Sequence, residues 1–184
     1  MVVRYLAPAA VTALLLSTTG GLGQASARQL AAQQVSRTAV SDSSFLQMAG
    51  SLGLLQVKLG KLAEEKGTSP AVRDFGKRMV ADYSKANEEI AAAAKGSAYP
   101  APVILRQHAQ LYERFVRMGK GSFDKKYMAA MVADHKKDIA KFKKASKTAK
   151  DADLKAWVDK TLPTLEKHLE QAKATAQQVG VKVK

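Results

Sequence analysis

Two histidines occupy positions where amphipathic helices carry core residues. His135 follows Met131 by four residues and precedes Ile139 by four, so at 3.6 residues per turn it lies within an apolar stripe. His168 follows Leu165 by three residues in another helical segment with the same pattern. Buried imidazoles act as general bases, as metal ligands or as hydrogen-bonded structural groups, so both histidines are candidate functional residues.

A carboxylate is predicted at a similar level. Asp82 holds a position in the apolar stripe of a third helical segment, and Gln56 flanks the stripe of a fourth. Gln56 lies ten residues before the turn that joins these two segments, and Asp82 lies twelve residues after it. At about 1.5 Å per residue, the two side chains stand within roughly 3 Å of the same height. We therefore predict a polar cluster made of Asp82, His135 and His168, flanked by Gln56, Tyr83 and Asp134.

This cluster has two interpretations. Two imidazoles and one carboxylate suit zinc, manganese or iron, and bundle cores are where facing helices build such sites. Asp82, His135 and His168 are thus candidate ligands for one transition-metal ion. The alternative, which we favour, is a hydrogen-bonded cluster that fixes helix register without metal. A di-iron oxidase needs Glu-x-x-His on two helices, and the chain contains no such motif, so we expect no enzyme and assign no catalytic residue.

Four long segments carry apolar residues at spacings of three and four, which predicts an all-α, antiparallel four-helix bundle. We place its helices at residues 44–66, 70–95, 122–150 and 151–178. The third helix is expected to begin at a Ser122 cap. Gly67-Thr68-Ser69-Pro70 predicts a short turn, with Ser69 as N-cap and Pro70 at the first helical position. An extra short helix is predicted over 103–118, in a connection whose path the sequence leaves open.

The start of the chain has the features of an export signal. Residues 1–27 contain Arg4, an apolar run from Leu6 to Leu16, and a cleavage site at Ala25-Ser26-Ala27. The apolar run is shorter than the roughly 20 residues that span a bilayer. We expect an exported bacterial protein, periplasmic, associated with the outer membrane or secreted. A flexible leader over 28–43, the bundle domain over 44–178 and a tail over 179–184 would follow.

The composition predicts anionic partners. The chain has no cysteine, so an exported form uses neither disulfides nor thiolate metal sites. Its 30 basic and 16 acidic residues give a net charge of +14, which signal cleavage would lower to +13. Residues 120–150 alone contain ten lysines and three aspartates. We expect attraction to lipopolysaccharide or lipid headgroups, and no specific nucleic acid because the lysines are not interleaved with aromatic residues.

Three motifs surround the histidines: Phe123-Asp124 with Tyr127, Met131-Val132 with His135, and Leu162-Pro163-Thr164-Leu165 with His168. They resemble the motifs of a family of exported bacterial proteins named only as a domain of unknown function, DUF4142. The resemblance covers residues 45–174, and it implies a ferritin-like fold and an exported location. The family pattern has a glutamate at Gln56 and an Asp-His pair at Asp82-Tyr83. These departures remove a carboxylate and an imidazole from the candidate metal site.

These observations together predict an exported, ferritin-like helical bundle of unknown biochemical activity. Its expected role is binding or structural, in the cell envelope or in a stress response. The alternative is a protein that binds a single iron, manganese or zinc ion, or a degenerate ferritin-like oxidoreductase.

Overall fold

The computed structural model describes residues 20–95 and 101–183, and these residues form α-helices with no strand among them. The five helices are α1 (Gly20–Lys66), α2 (Pro70–Lys95), α3 (Arg106–Val116), α4 (Lys120–Thr148) and α5 (Ala152–Gln178). The all-α prediction is confirmed. The part of the predicted signal sequence that precedes Gly20 lies outside the described residues.

The chain divides into two compact units, residues 1–36 and 37–184. The first contains the beginning of α1, where the described side chains are exposed. The second contains the rest of α1 and the other helices, and all further observations concern it.

The predicted flexible leader differs from the structure, because residues 28–43 belong to α1. No glycine or proline interrupts the chain between Ala25 and Ala49, and its alanines and glutamines are strong helix formers. Asp42 is buried at the end of this stretch. Its carboxylate accepts hydrogen bonds from the backbone N–H groups of Lys150 (3.0 Å) and Asp151 (2.9 Å), just before α5. Asp42, near the end of the predicted leader, therefore contacts the residues that directly precede α5.

Helices α1 and α2 approach each other closely and run antiparallel. A Cβ added to Gly60 would lie 2.7 Å from the carbonyl oxygen of Gly76, and the reverse substitution gives the same distance. A Cβ on Gly53 would overlap the side-chain amide of Asn87. Because the contact partner moves backward along α2 as α1 advances, the two helices have opposite directions.

The turn between α1 and α2 is held by α4. Asp124 is buried, and its carboxylate accepts hydrogen bonds from Thr68 N–H (3.1 Å), Thr68 Oγ1 (2.6 Å) and Ser69 N–H (2.8 Å). Pro70 is the first residue of α2, as predicted. The predicted Ser122 cap of the next long helix is wrong, because α4 begins two residues earlier with Gly119 at its N-cap.

Helix α4 runs parallel to α2 and antiparallel to α5. Phe75 contacts Tyr127 and Tyr83 contacts His135, so partners on α2 and α4 advance together. Toward α5 the order reverses, since His135 contacts His168 whereas Phe142 contacts Trp157.

The connection between α2 and α4 runs along α1. Pro102 packs where a side chain on Gly50 would be, and the Lys58 ammonium lies 5.1 Å from the ring centre of Tyr112. Near the other end, Lys66 donates to backbone carbonyls at the end of α3, at 3.5 Å for Phe115, at 3.0 Å for Met118, and also for Val116. The described part of the connection, residues 101–119, thus follows α1 from Gly50 to Lys66.

The glycine contact between α1 and α2 makes a testable prediction. Gly76→Ala places a methyl group 2.7 Å from Gly60 O and 2.9 Å from Ala63 Cβ. Because backbone must move, we expect the free energy of unfolding to fall by about 1–3 kcal/mol in urea denaturation. Gly121→Ala is the control, since its methyl group meets no atom within 4 Å, and it should stabilise α4 by up to about 1 kcal/mol. Wild-type stability in Gly76→Ala would contradict the close approach.

Candidate functional site

The two predicted histidines meet between α4 and α5. Their ring centroids lie 5.7 Å apart and the rings are nearly perpendicular. The ring of Tyr83, on α2, lies 5.5 Å from His168 and 6.2 Å from His135. Both histidines and the tyrosine are buried. Three aromatic side chains from three helices therefore form one centre, and we call Tyr83, His135, His168 and Asp82 the histidine centre.

Asp82 joins this centre from the surface. Its Oδ2 lies 2.8 Å from His168 Nε2, and its side chain is 41% exposed whereas that of His168 is 2% exposed. A carboxylate only accepts hydrogen bonds, so His168 Nε2 carries the proton and donates it. In the neutral ring the other nitrogen, Nδ1, is then an acceptor. This buried Nδ1 has no hydrogen-bond partner among the described residues.

His135 has the opposite tautomer. Its Nδ1 lies 2.8 Å from the carbonyl oxygen of Met131, one turn earlier on α4, and a carbonyl can only accept. His135 Nδ1 therefore donates, and Nε2 accepts from the Tyr83 hydroxyl at 3.2 Å. The backbone of α4 thus determines which ring nitrogen of His135 faces Tyr83.

Burial holds the centre in its neutral form. Removal from water lowers the pKa of His135 to about 4, against the opposing effect of the Met131 carbonyl. Burial also lowers the pKa of His168, and the Asp82 carboxylate opposes this shift. Burial raises the pKa of the Tyr83 hydroxyl well above its usual value, with a further contribution from Asp138. At neutral pH both imidazoles are uncharged, and the phenol is protonated.

The predicted flanking residues do not all join the centre. Gln56 is fully buried, but its amide oxygen and nitrogen have no hydrogen-bond partner in the described part of the chain, so the expected contact with Asp82 does not form. Asp134 lies 3.8 Å from the Lys137 ammonium, and its partial burial raises the pKa of its carboxyl group. Tyr83 is closer than predicted, because its hydroxyl bonds His135 directly.

A protein metal site needs about three donor side chains that converge on one point. Over residues 20–95 and 101–183, no three His, Asp or Glu side chains are grouped so that they could hold a metal. Asp82 and His168 bond each other, and the Nε2 atom of His135 bonds Tyr83. The three predicted ligands are therefore neighbours that do not converge on one point. The metal interpretation stays a prediction.

Sequence reasoning missed two buried polar contacts near this centre. Asp138 is 4% exposed and pairs with Lys141 at 3.1 Å, while burial raises the pKa of its carboxyl group. It follows His135 by three residues, so the stripe that identified the histidine could have identified it too. Ser51 Oγ lies 2.7 Å from His108 Nδ1 and accepts from Leu105 N–H at 2.7 Å. This pair ties the connection to α1.

The fold and this centre define an all-helical protein with buried, neutral histidines bonded to an aspartate and a tyrosine. Residues 24–175 match the family described as Domain of unknown function (DUF4142). The match covers most of the chain and includes every residue of the histidine centre, so the protein belongs to this family. No curated protein and no solved structure matches the chain. Among the described helices, none is both long and apolar enough to cross a membrane.

The neutral state of His135 predicts that stability depends on pH. Unfolding returns its pKa from about 4 to the ordinary value of 6.5, so the unfolded chain binds the proton first. The stabilising effect is complete above pH 6.5 and is lost as pH falls toward 4. At about 1.4 kcal/mol per pKa unit, the loss between pH 7.5 and 4.5 is roughly 2–3 kcal/mol.

The measurement is urea denaturation of the wild type and His135→Gln at both pH values. We expect the variant to lose less stability on acidification by that amount. The raised carboxyl pKa values of Asp134 and Asp138 act in the opposite direction, but they are common to both proteins and cancel in the comparison. Parallel pH profiles of the two proteins would contradict the neutral, buried state of His135.

Proposed function

We propose that this protein is an exported four-helix bundle of ferritin-like topology that binds anionic surfaces of the bacterial envelope and has no catalytic role. Support for the topology comes from the helix directions, because α2 is antiparallel to α1, α4 is antiparallel to α5, and α2 and α4 run parallel. A long connection that crosses the bundle produces this arrangement in ferritin-like folds. Export is inferred from the sequence features of residues 1–27.

The observation that carries the proposed function is the solvent face of α4. All charged residues exposed on this helix are lysines, because Asp124 and Asp138 are buried and Asp134 is half-buried. The exposed lysines are Lys120, Lys125, Lys126, Lys136, Lys137, Lys141, Lys143, Lys144 and Lys147. We call this set the α4 lysine face.

The α4 lysine face suits a flat anionic surface. Exposed alanines at positions 129, 133 and 140 lie between the lysines, and short side chains there allow the helix to approach a surface closely. With 29 residues, α4 presents the lysines along about 43 Å. Lys125, Lys126, Lys144 and Lys147 form no ion pair within the described residues, so their charge is available to a partner. Each lysine near an anionic membrane contributes about 1 kcal/mol.

Vesicle binding tests the proposal. The protein should co-sediment with vesicles that contain phosphatidylglycerol, but not with pure phosphatidylcholine, and salt should weaken the binding. In the triple variant Lys125→Gln, Lys126→Gln, Lys144→Gln we expect the partition constant to fall at least about tenfold, because three contributions of about 1 kcal/mol are lost.

A matched control separates the α4 lysine face from net charge. Lys77→Gln, Lys155→Gln, Lys173→Gln removes three lysines that form surface ion pairs at 3.5, 2.7 and 2.8 Å. Such pairs contribute little to stability, so this control should fold normally and bind vesicles within about threefold of the wild type. Equal losses in both triple variants would overturn the role of α4 and leave only non-specific attraction.

One observation favours a second candidate, a single transition-metal ion that His135, His168 and Asp82 would hold after exchanging their present hydrogen bonds for a shared ligand position. His168 Nδ1 and both amide atoms of Gln56 are buried without a hydrogen-bond partner among the described residues. Donor atoms of this kind are expected where a polar guest binds.

Elemental analysis of the protein, purified without chelators or a His-tag, tests this candidate. A metal centre predicts nearly one iron, manganese or zinc ion per chain, and its loss in His168→Leu, which removes both ring nitrogens. Absence of metal after incubation with Fe(II), Mn(II) and Zn(II), or equal metal content in the variant, would leave the histidine centre as a structural cluster.

A further inference from the structure

A groove of about 300 Å³ lies between α2 and α5, on the solvent side of the histidine centre. Arg78, Asp82 and Lys85 line it from α2, and Thr161, Thr164 and Lys167 line it from α5. The residues that line the groove belong to α2 and α5, so none of them is part of the α4 lysine face. Its floor includes Asp82, whose Oδ2 is occupied by His168.

The charges around the groove are unbalanced. Glu89 and Lys160 form an ion pair at 2.8 Å that joins the two helices, and their charges cancel. Arg78, Lys85 and Lys167 form no ion pair in the described part of the chain. Three cations against the single carboxylate of Asp82 leave a local charge of +2. Cations that line one groove without ion-pair partners repel one another, and a bound dianion would relieve that repulsion.

Two threonine hydroxyls and one oxygen of Asp82 in the groove can bind the rest of a ligand. Thr161 Oγ1 donates to the carbonyl of Trp157 at 2.7 Å, which leaves its oxygen lone pairs as acceptors. The Thr164 hydroxyl makes no hydrogen bond to the described residues, and Asp82 Oδ1 accepts none from them. A ligand that combines a phosphate with hydroxyl groups matches this mixture of cations, hydroxyls and one carboxylate oxygen.

We infer that this groove binds a phosphate monoester that also carries hydroxyl groups, of the size of glycerol phosphate. The dianionic phosphate pairs with Arg78, Lys85 and Lys167, and the guanidinium group can bind two phosphate oxygens at once. A ligand hydroxyl donates to Asp82 Oδ1. The Glu89–Lys160 pair bridges α2 and α5 at one end of the groove, which favours a small ligand over a long polymer.

The same phosphate monoester could be free in solution or belong to a lipid headgroup, so the experiment has two arms. The first measures binding of glycerol 3-phosphate to the protein by isothermal titration calorimetry at pH 7.5 in 150 mM NaCl. The second measures co-sedimentation with vesicles that contain phosphatidic acid, whose headgroup is a phosphate monoester.

The variant Arg78→Gln, Lys167→Gln removes two of the three cations at exposed positions, where folding should not be affected. We expect a saturable one-to-one signal in at least one arm, weakened at least about tenfold by this variant. The variant Lys125→Gln, Lys126→Gln, Lys144→Gln is the control, and it should leave glycerol phosphate affinity within about twofold of the wild type.

The outcomes separate this inference from the proposed function. Binding of glycerol 3-phosphate that depends on the groove identifies a soluble ligand. Groove-dependent binding to phosphatidic acid vesicles alone identifies a lipid headgroup. The absence of saturable binding in both arms would overturn the inference. So would equal losses of glycerol 3-phosphate affinity in the groove variant and the α4 variant, or a groove variant that binds phosphatidic acid and phosphatidylglycerol vesicles with equal losses. Loss of phosphatidylglycerol binding only in the α4 variant supports the proposed function independently.

Discussion

The direction of α4 relative to α2 is the constraint on which the rest of the structure depends. The two helices are parallel because the connection between them, in its described part over residues 101–119, follows α1 from Gly50 to Lys66 before α4 begins. Parallel packing places His135 opposite Tyr83, and the antiparallel return of α5 then brings His168 to Asp82. With a short α2–α4 turn the order of contacts would reverse, and these side chains would lie at different heights.

The hydrogen bonds of the histidine centre form only at one alignment of α2, α4 and α5 along their axes. Each imidazole has one proton, and its bonding partner determines the nitrogen that carries it: the Met131 carbonyl for His135 and the Asp82 carboxylate for His168. A shift of one helix by a single turn would leave these nitrogens facing apolar side chains, which costs about 1–3 kcal/mol for each buried group. Apolar packing alone tolerates such shifts more easily, so we expect the polar contacts to favour the observed alignment of α2, α4 and α5.

Much of this arrangement is predictable from the sequence, and the exceptions have physical causes. The spacing of apolar residues identified His135 and His168 as buried. Gly67 to Pro70 marked the turn because glycine readily ends a helix and proline favours the first helical position. Side-chain direction is harder to predict, which is why Gln56, predicted at the height of Asp82, forms no hydrogen bond with it. The leader was expected to be flexible, whereas residues 28–43 are helical and the backbone partners of Asp42 lie more than 100 residues away in sequence.

Helix ends and isolated polar contacts were also difficult to predict from the sequence. Ser122 has the right residue type for an N-cap, but α4 begins at Lys120. Gly119 occupies the N-cap position instead, because glycine also adopts the extended backbone conformation that an N-cap requires. Asp138 lies on the same stripe as His135, but its lysine neighbours in sequence suggested an exposed position. The ion pair with Lys141 offsets part of the cost of burying its carboxylate. Ser51 gave no signal, because its partners lie on a connection whose path depends on the tertiary fold.

The contact between Asp42 and the start of α5 has a consequence for the order in which the protein assembles. Its partners are 108 and 109 residues later in the chain, so a protein synthesised from its N-terminus exposes this carboxylate until most of the sequence has been made. Loop closure over that distance is entropically costly and becomes favourable only after the intervening helices have packed. We therefore expect this contact to form late in folding, when α5 packs against the end of the domain that is synthesised first.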